Sequence, residues 1–164
     1  MIRKRKEVTE EQALERMMVA CSRSELCSFD VATKLKRLGL SADKIKNIVN
    51  KLTREGFIDD ARFSAAYAYT KMIGNGWGRG KIKMGLYQNR ITSKLISEAL
   101  ENLDERKYYD TLMLLARGKA RYIDLKLYED RQKLFRSLYL RGFETELIKR
   151  VISHLVKEES DQDD

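Results

Sequence analysis

Leu35–Leu52, LKRLGLSADKIKNIVNKL, occurs three times in this chain without a gap: Leu86–Leu103 reads LYQNRITSKLISEALENL, and Leu138–Leu155 reads LYLRGFETELIKRVISHL. The second half of each copy places apolar residues at i, i+3, i+4 and i+7 (Ile45/Ile48/Val49/Leu52, Ile96/Ala99/Leu100/Leu103, Ile148/Val151/Ile152/Leu155). That spacing draws one apolar stripe along a helix. The first half closes a preceding helix, striped at i and i+4 by Val31/Leu35, Ile82/Leu86 and Leu134/Leu138. Between the halves lies a corner. Gly39 and Gly142 suit the left-handed residue that ends a helix, and Arg90 stands at the same place in the middle copy. Next comes an apolar residue (Leu40, Ile91, Phe143), then a cap position (Ser41, Thr92, Glu144), and the fourth helical residue (Ile45, Ile96, Ile148) can staple back onto that apolar neighbour.

A 164-residue chain with a period near 51 divides into three modules. One such module is too small to bury a convincing core alone, whereas modules in a row cover one another's apolar edges. The fold class expected is all-α: three tandem three-helix repeats in an elongated array. Proline is absent, and no stretch alternates with the period of a strand. The expected organisation is a flexible basic arm at 1–8, repeats at 9–58, 59–103 and 104–156, and an acidic disordered tail at 157–164. Thr9 with Gln12 reads as a capping box, and Asp59 as the cap that opens the second repeat. Helices in the third repeat are expected from Asp104, from about Asp124 and from Glu144.

The formal net charge is +8, a balance that favours polyanionic partners. Its placement says more. From Ala61 to Ser97 there are seven basic residues (Arg62, Lys71, Arg79, Lys81, Lys83, Arg90, Lys94) and no acid, interleaved with Phe63, Tyr67, Tyr69, Trp77 and Tyr87. Asp104–Asp164 holds thirteen charges of each sign, its basic residues including a knot at Arg117, Lys119 and Arg121. The middle repeat is therefore the electropositive one.

Catalytic patterns are missing. His154 is the single histidine, and Cys21 and Cys27 fit neither a zinc spacing nor a disulfide framework. The paired acids Asp59-Asp60 and Glu129-Asp130 lie where helices start. These absences point away from an enzyme, and no cofactor or metal is expected. The loop Gly74–Gly80, GNGWGRG, has the glycines of a phosphate cradle, but a helix precedes it and Ile82 follows Gly80-Lys81. It reads first as a helix–helix connection, with phosphodiester contact by Arg79, Lys81 and Lys83 as the second reading. Trp77 is expected as an inter-repeat anchor before a stacking platform. The basic N-terminal segment has no apolar run behind it, and no stretch has the twenty apolar residues of a membrane span. A soluble cytoplasmic protein is expected.

Taken together these residues resemble the RecX family of bacterial recombinase regulators, over about residues 10–156. The most specific part is Leu52–Tyr67, LTREGFIDDARFSAAY, followed by Gly76-Trp77-Gly78, Lys81-Ile82, Leu86 and Ile91 through Ala99-Leu100. The third repeat matches more loosely, through Leu140-Arg-Gly-Phe143 and Leu147-Ile148, and Asn89-Arg90 replaces the commoner Lys-Gly. The resemblance implies tandem three-helix repeats in a curved body. It also implies a non-enzymatic modulator that binds RecA filaments on single-stranded DNA, slowing ATP turnover and strand exchange and damping the co-protease activity of the SOS response. A monomer is expected. Charge placement, not the family, nominates Arg79, Lys81, Lys83 and Arg90 as first contacts to the filament or its DNA, and Lys71, Lys94, Lys119 and Arg121 as second. The alternatives are a DNA-binding helix-turn-helix-type protein acting without RecA, reading through faces such as Lys44, Asn47, Lys51 and Arg54, and a helical adaptor whose charge only solubilises.

Overall fold

Each copy of the repeated stretch closes its corner with the same backbone pattern. In a computed structural model, which describes residues 8–162, the residue after the glycine-type position donates its N–H back to the helix it leaves: Leu40 to Leu35 O, Ile91 to Leu86 O, and Phe143 to Leu138 O. The turn residue itself takes positive φ in all three, at 87° for Gly39, 58° for Arg90 and 89° for Gly142. Arg90 thus adopts a conformation that favours glycine, because the corner leaves no other way to satisfy the helix end.

All elements among the described residues are helices: α1 (Glu10–Arg23), α2 (Ser28–Arg37), α3 (Ala42–Arg54), α4 (Asp60–Asn75), α5 (Arg79–Gln88), α6 (Ser93–Glu101), α7 (Glu105–Ala120), α8 (Tyr128–Tyr139) and α9 (Thr145–Gln162). They form three successive three-helix repeats, and the corners are α2–α3, α5–α6 and α8–α9. Thr9 and Gln12 make the expected capping box, and the Asp59 carboxylate accepts the N–H groups of Ala61 and Arg62. Cys27 is an unexpected cap: its Sγ accepts the Asp30 N–H, while the Asp30 carboxylate accepts the Cys27 N–H.

Two boundaries differ from the sequence reading. α8 starts at Tyr128 because Asp124 belongs to a preceding turn, where its side chain accepts the Lys126 N–H and its own N–H donates to Asp130. α9 runs through Gln162, over the first part of the stretch expected to be a disordered tail. Arg117 and His154 both reach Glu158 across that extension, and Ser160 back-bonds to Val156 O. The expected basic arm, Val8 excepted, and residues 163 and 164 lie outside the described residues.

Burial partitions the chain unevenly. Val31, Leu35, Ile48, Leu52 and Ile58 form a separate core in the first repeat. The second and third repeats share one continuous core, from Phe63 and Met72 through Ile82, Leu86 and Ile96 to Tyr108, Leu134, Phe143 and Val151. Cys27 is the one buried side chain of the first repeat that joins this second core. The joint between repeats 1 and 2 is accordingly narrow and polar. Asp60 accepts from Ser28 N and Oγ at 2.8 and 2.9 Å, and Arg62 pairs with Glu25 at 2.8 Å. The second and third repeats behave as one body.

Candidate functional site

The glycine loop between α4 and α5 is where the two halves of that body meet. Gly78 N–H donates to Arg141 O at 2.8 Å and Gly80 N–H to Gly142 O at 3.0 Å, so the loop lies against the α8–α9 corner. Glycine is required on both sides. A Cβ on Gly78 would come within 2.3 Å of the Gly142 carbonyl carbon, and one on Gly142 within 2.3 Å of Lys81 N. Arg141 Nη1 donates to Asn75 O at 2.9 Å and closes the other end of the loop. The backbone N–H groups that a phosphate cradle would present are thus spent: those of Gly78, Arg79 and Gly80 on the third repeat, those of Gly76 and Trp77 on the end of α4.

Arg79 goes with the loop. Its guanidinium lies 4.1 Å from the Tyr108 ring centroid, pairs with Glu144 at 3.1 Å and with Glu105, and is only 21% exposed. The phenol beneath it donates to Glu144 Oε2 at 2.7 Å and accepts the Arg79 backbone N–H at 2.9 Å. Burial first, and the hydrogen bond to Glu144 second, raise the Tyr108 pKa above its ordinary value. Arg79 is therefore held as a joint residue by two carboxylates and an aromatic face, apart from the other cations of the first-choice set.

Lys81, Lys83 and Arg90 are exposed, and none has a carboxylate partner among the described residues. Each instead lies near an aromatic ring: Lys81 Nζ is 4.7 Å from Trp77, Lys83 Nζ 5.9 Å from Tyr87, and the Arg90 guanidinium carbon 5.9 Å from Phe29. Cations so placed keep their charge and their donors available. Lys71 is half-buried, and its Nζ lies 4.9 Å from the Trp77 ring and 5.4 Å from Tyr67. Trp77 is packed against the shared core with the ammonium groups of Lys71 and Lys81 both beside its ring, and its backbone N–H donates to Lys71 O. Lys94 on α6 and the pair Lys119 and Arg121 at the end of α7 are exposed, likewise without a carboxylate partner among the described residues.

What the sequence did not reveal is the apolar company these cations keep. Met84, Tyr87, Tyr139 and Leu140 are all exposed by 45% or more. Met84 and Gln88 line two adjoining depressions, one reaching Phe29 and Arg90, the other reaching Trp77, Tyr139 and Leu140. The surface is continuous across all three repeats. The cue in the sequence was Lys81, Met84 and Gln88 at i, i+3 and i+7 on α5, opposite the buried stripe Ile82/Leu86. No group of three or more metal-ligating side chains exists among the described residues, and no helix is long and apolar enough to cross a membrane.

Comparison with known proteins agrees with the repeat structure. Residues 59–100 match the second three-helix domain of RecX, and residues 106–152 match its third. The regulatory protein RecX of Clostridium tetani is 34% identical over 130 residues, covering 77% of this chain and 59% of that protein. That of Pasteurella multocida is 27% identical over 148 residues, 90% of each chain. The chain spans between 53% and 62% of the length of the RecX proteins it matches from C. tetani, Clostridium perfringens and Clostridioides difficile. A solved structure of RecX from Lactobacillus salivarius superposes with a TM-score of 0.81 at 24% identity, over 89% of this chain and 96% of that one.

Proposed function

The chain belongs to the RecX family of regulatory proteins, and from that premise we propose that it is a non-enzymatic cytoplasmic regulator of recombination that binds RecA filaments on single-stranded DNA. By occupying the filament it slows ATP hydrolysis, strand exchange and the co-protease activity of RecA. The observation that carries this reading is the set of exposed cations Lys81, Lys83 and Arg90 on α5 and its corner, with Lys94 on the next helix, none of them with a carboxylate partner among the described residues. Removing condensed counterions from a polyanion is the main source of such affinity, and it needs cations not already neutralised within the protein. Lys119 and Arg121 extend the contact onto the third repeat, while Lys71 and Trp77 brace Lys81. Arg79 fixes the angle between α5 and the third repeat, and so aims its neighbours.

The test is a titration of the protein into RecA and single-stranded DNA while ATP hydrolysis is followed. Saturable inhibition is expected. Binding to bare single strands with no effect on RecA would favour the alternative, a DNA-binding protein acting alone.

A further inference from the structure

The exposed cations explain attraction to a polyanion but leave the trough beside Lys81 without a role. On one bank α5 presents Lys81, Met84 and Gln88; on the other the α8–α9 corner presents Tyr139, Leu140 and Thr145. The trough measures about 710 Å³, within the range of clefts that bury a ligand's side chains. Met84 is 65% and Leu140 67% exposed, and the two line the same trough from opposite banks. The thioether of Met84 adapts its shape to what it meets.

We infer that this trough is a second docking site, which receives an apolar protein segment flanked by carboxylates. Resting on the function proposed above, the partner is the recombinase subunit itself, gripped beside the phosphates. Charge fixes the orientation. Lys81 lines the α5 bank, and Arg90 lines the adjoining depression that shares Met84 and Gln88 with the trough, so carboxylates of the incoming segment lie on that side. The far bank sets apolar Leu140 and Phe143 beside the hydroxyls of Tyr139 and Thr145, and its carboxylate, Glu144, is already held by Arg79 and Tyr108. Lys81 is the one cation among the lining residues, so a phosphate chain in the trough would find a single charge partner. An apolar protein side chain finds Met84 and Leu140. Because the banks come from different repeats, the trough exists only while the glycine loop stays seated on the α8–α9 corner.

The experiment compares the protein with Met84→Ala and Leu140→Ala, neutral truncations that leave the charge beside Lys81 unchanged, each in two assays: inhibition of RecA ATP hydrolysis, and binding to a labelled bare single strand. Both positions are exposed, and circular dichroism with a thermal melt establishes that each variant folds. Loss of an interface anchor is expected to raise the concentration for half-inhibition on the order of tenfold or more, with bare-strand affinity changed less than about twofold. Leu114→Ala, an equal change at a residue on α7 that is 74% exposed, is expected to inhibit like the parent. If the parent inhibits and the Met84 and Leu140 variants inhibit equally well, the trough is overturned while the proposed function stands. Parallel loss of bare-strand binding would make the trough a nucleobase site and overturn the inference. Equal loss in Leu114→Ala would overturn it too. If the parent does not inhibit, the proposed function falls and takes the trough with it.

Discussion

Tyr108 donates a 2.7 Å hydrogen bond to the Glu144 carboxylate, binding the first helix of the third repeat to the corner before its last helix. The same oxygen accepts the Arg79 backbone N–H, so one phenol organises the seam between the second and third repeats. Tyr108→Phe keeps the ring under the guanidinium but leaves the Arg79 N–H without its acceptor. A loss of about 1–3 kcal/mol is expected, read as a lower urea midpoint at constant m-value. Alkaline pH supplies a second signature. The folded phenol titrates above the ordinary tyrosine value of 10.0, so the native state holds its proton where the unfolded chain releases it. That contribution is complete below pH 10 and is lost as pH rises through the folded value. Stability of the parent should therefore fall more steeply above pH 10 than that of Tyr108→Phe.

The glycines that close the first and third corners are not equivalent in consequence. Gly39 and Gly142 share a φ near 90°, but a Cβ on Gly39 meets nothing within 4 Å, whereas on Gly142 it meets Lys81 backbone. Gly39→Ala is expected to cost only the left-handed strain, about 1–2 kcal/mol. Gly142→Ala adds a clash that unseats the glycine loop, and should destabilise by more. Thermal melts of the two variants decide it; equal losses would mean that the seam yields freely.

Arg90 combines a strained backbone with an exposed charge. Arg90→Gly relieves the left-handed penalty but frees the unfolded chain, for a net gain of about 0.5–1 kcal/mol. Filament binding should weaken in the same variant. A protein that melts higher and inhibits less would separate the two roles of this residue.

The narrow joint at Asp60 sets how the first repeat detaches. Asp60→Ala removes the acceptor of Ser28 N–H and Oγ. Hydrogen exchange in α1–α3 should accelerate while α4–α9 change little, because the two cores are separate. Alkylation gives an independent check. Burial pushes the Cys27 thiol up to about 12, so at neutral pH it reacts only when this joint opens. Faster labelling of Cys27 in Asp60→Ala is expected.

Helix periodicity made the threefold repeat legible before any coordinates, since each stripe and each corner residue is local in sequence. Even the departure at Arg90 was visible, although its φ was not. The site was harder to read. Arg79 looked like its neighbours Lys81 and Lys83 because its partners Glu105 and Glu144 lie 26 and 65 residues away. The glycine loop looked like a free connection for the same reason: its acceptors, Arg141 O and Gly142 O, belong to the next repeat. Charge runs report composition; which charges are spent internally is decided by tertiary contact.

The most direct test reverses the three cations that tertiary structure leaves available. Lys81→Glu, Lys83→Glu and Arg90→Glu in one chain should retain the parent's helicity, since none of the three is buried or ion-paired among the described residues. Affinity for RecA filaments on single-stranded DNA, measured by anisotropy across a salt series, is expected to fall by at least an order of magnitude at low salt and to show a shallower salt slope. A variant that folds normally yet binds the filament with the parent's affinity and the parent's slope would contradict the assignment of filament attachment to the middle repeat.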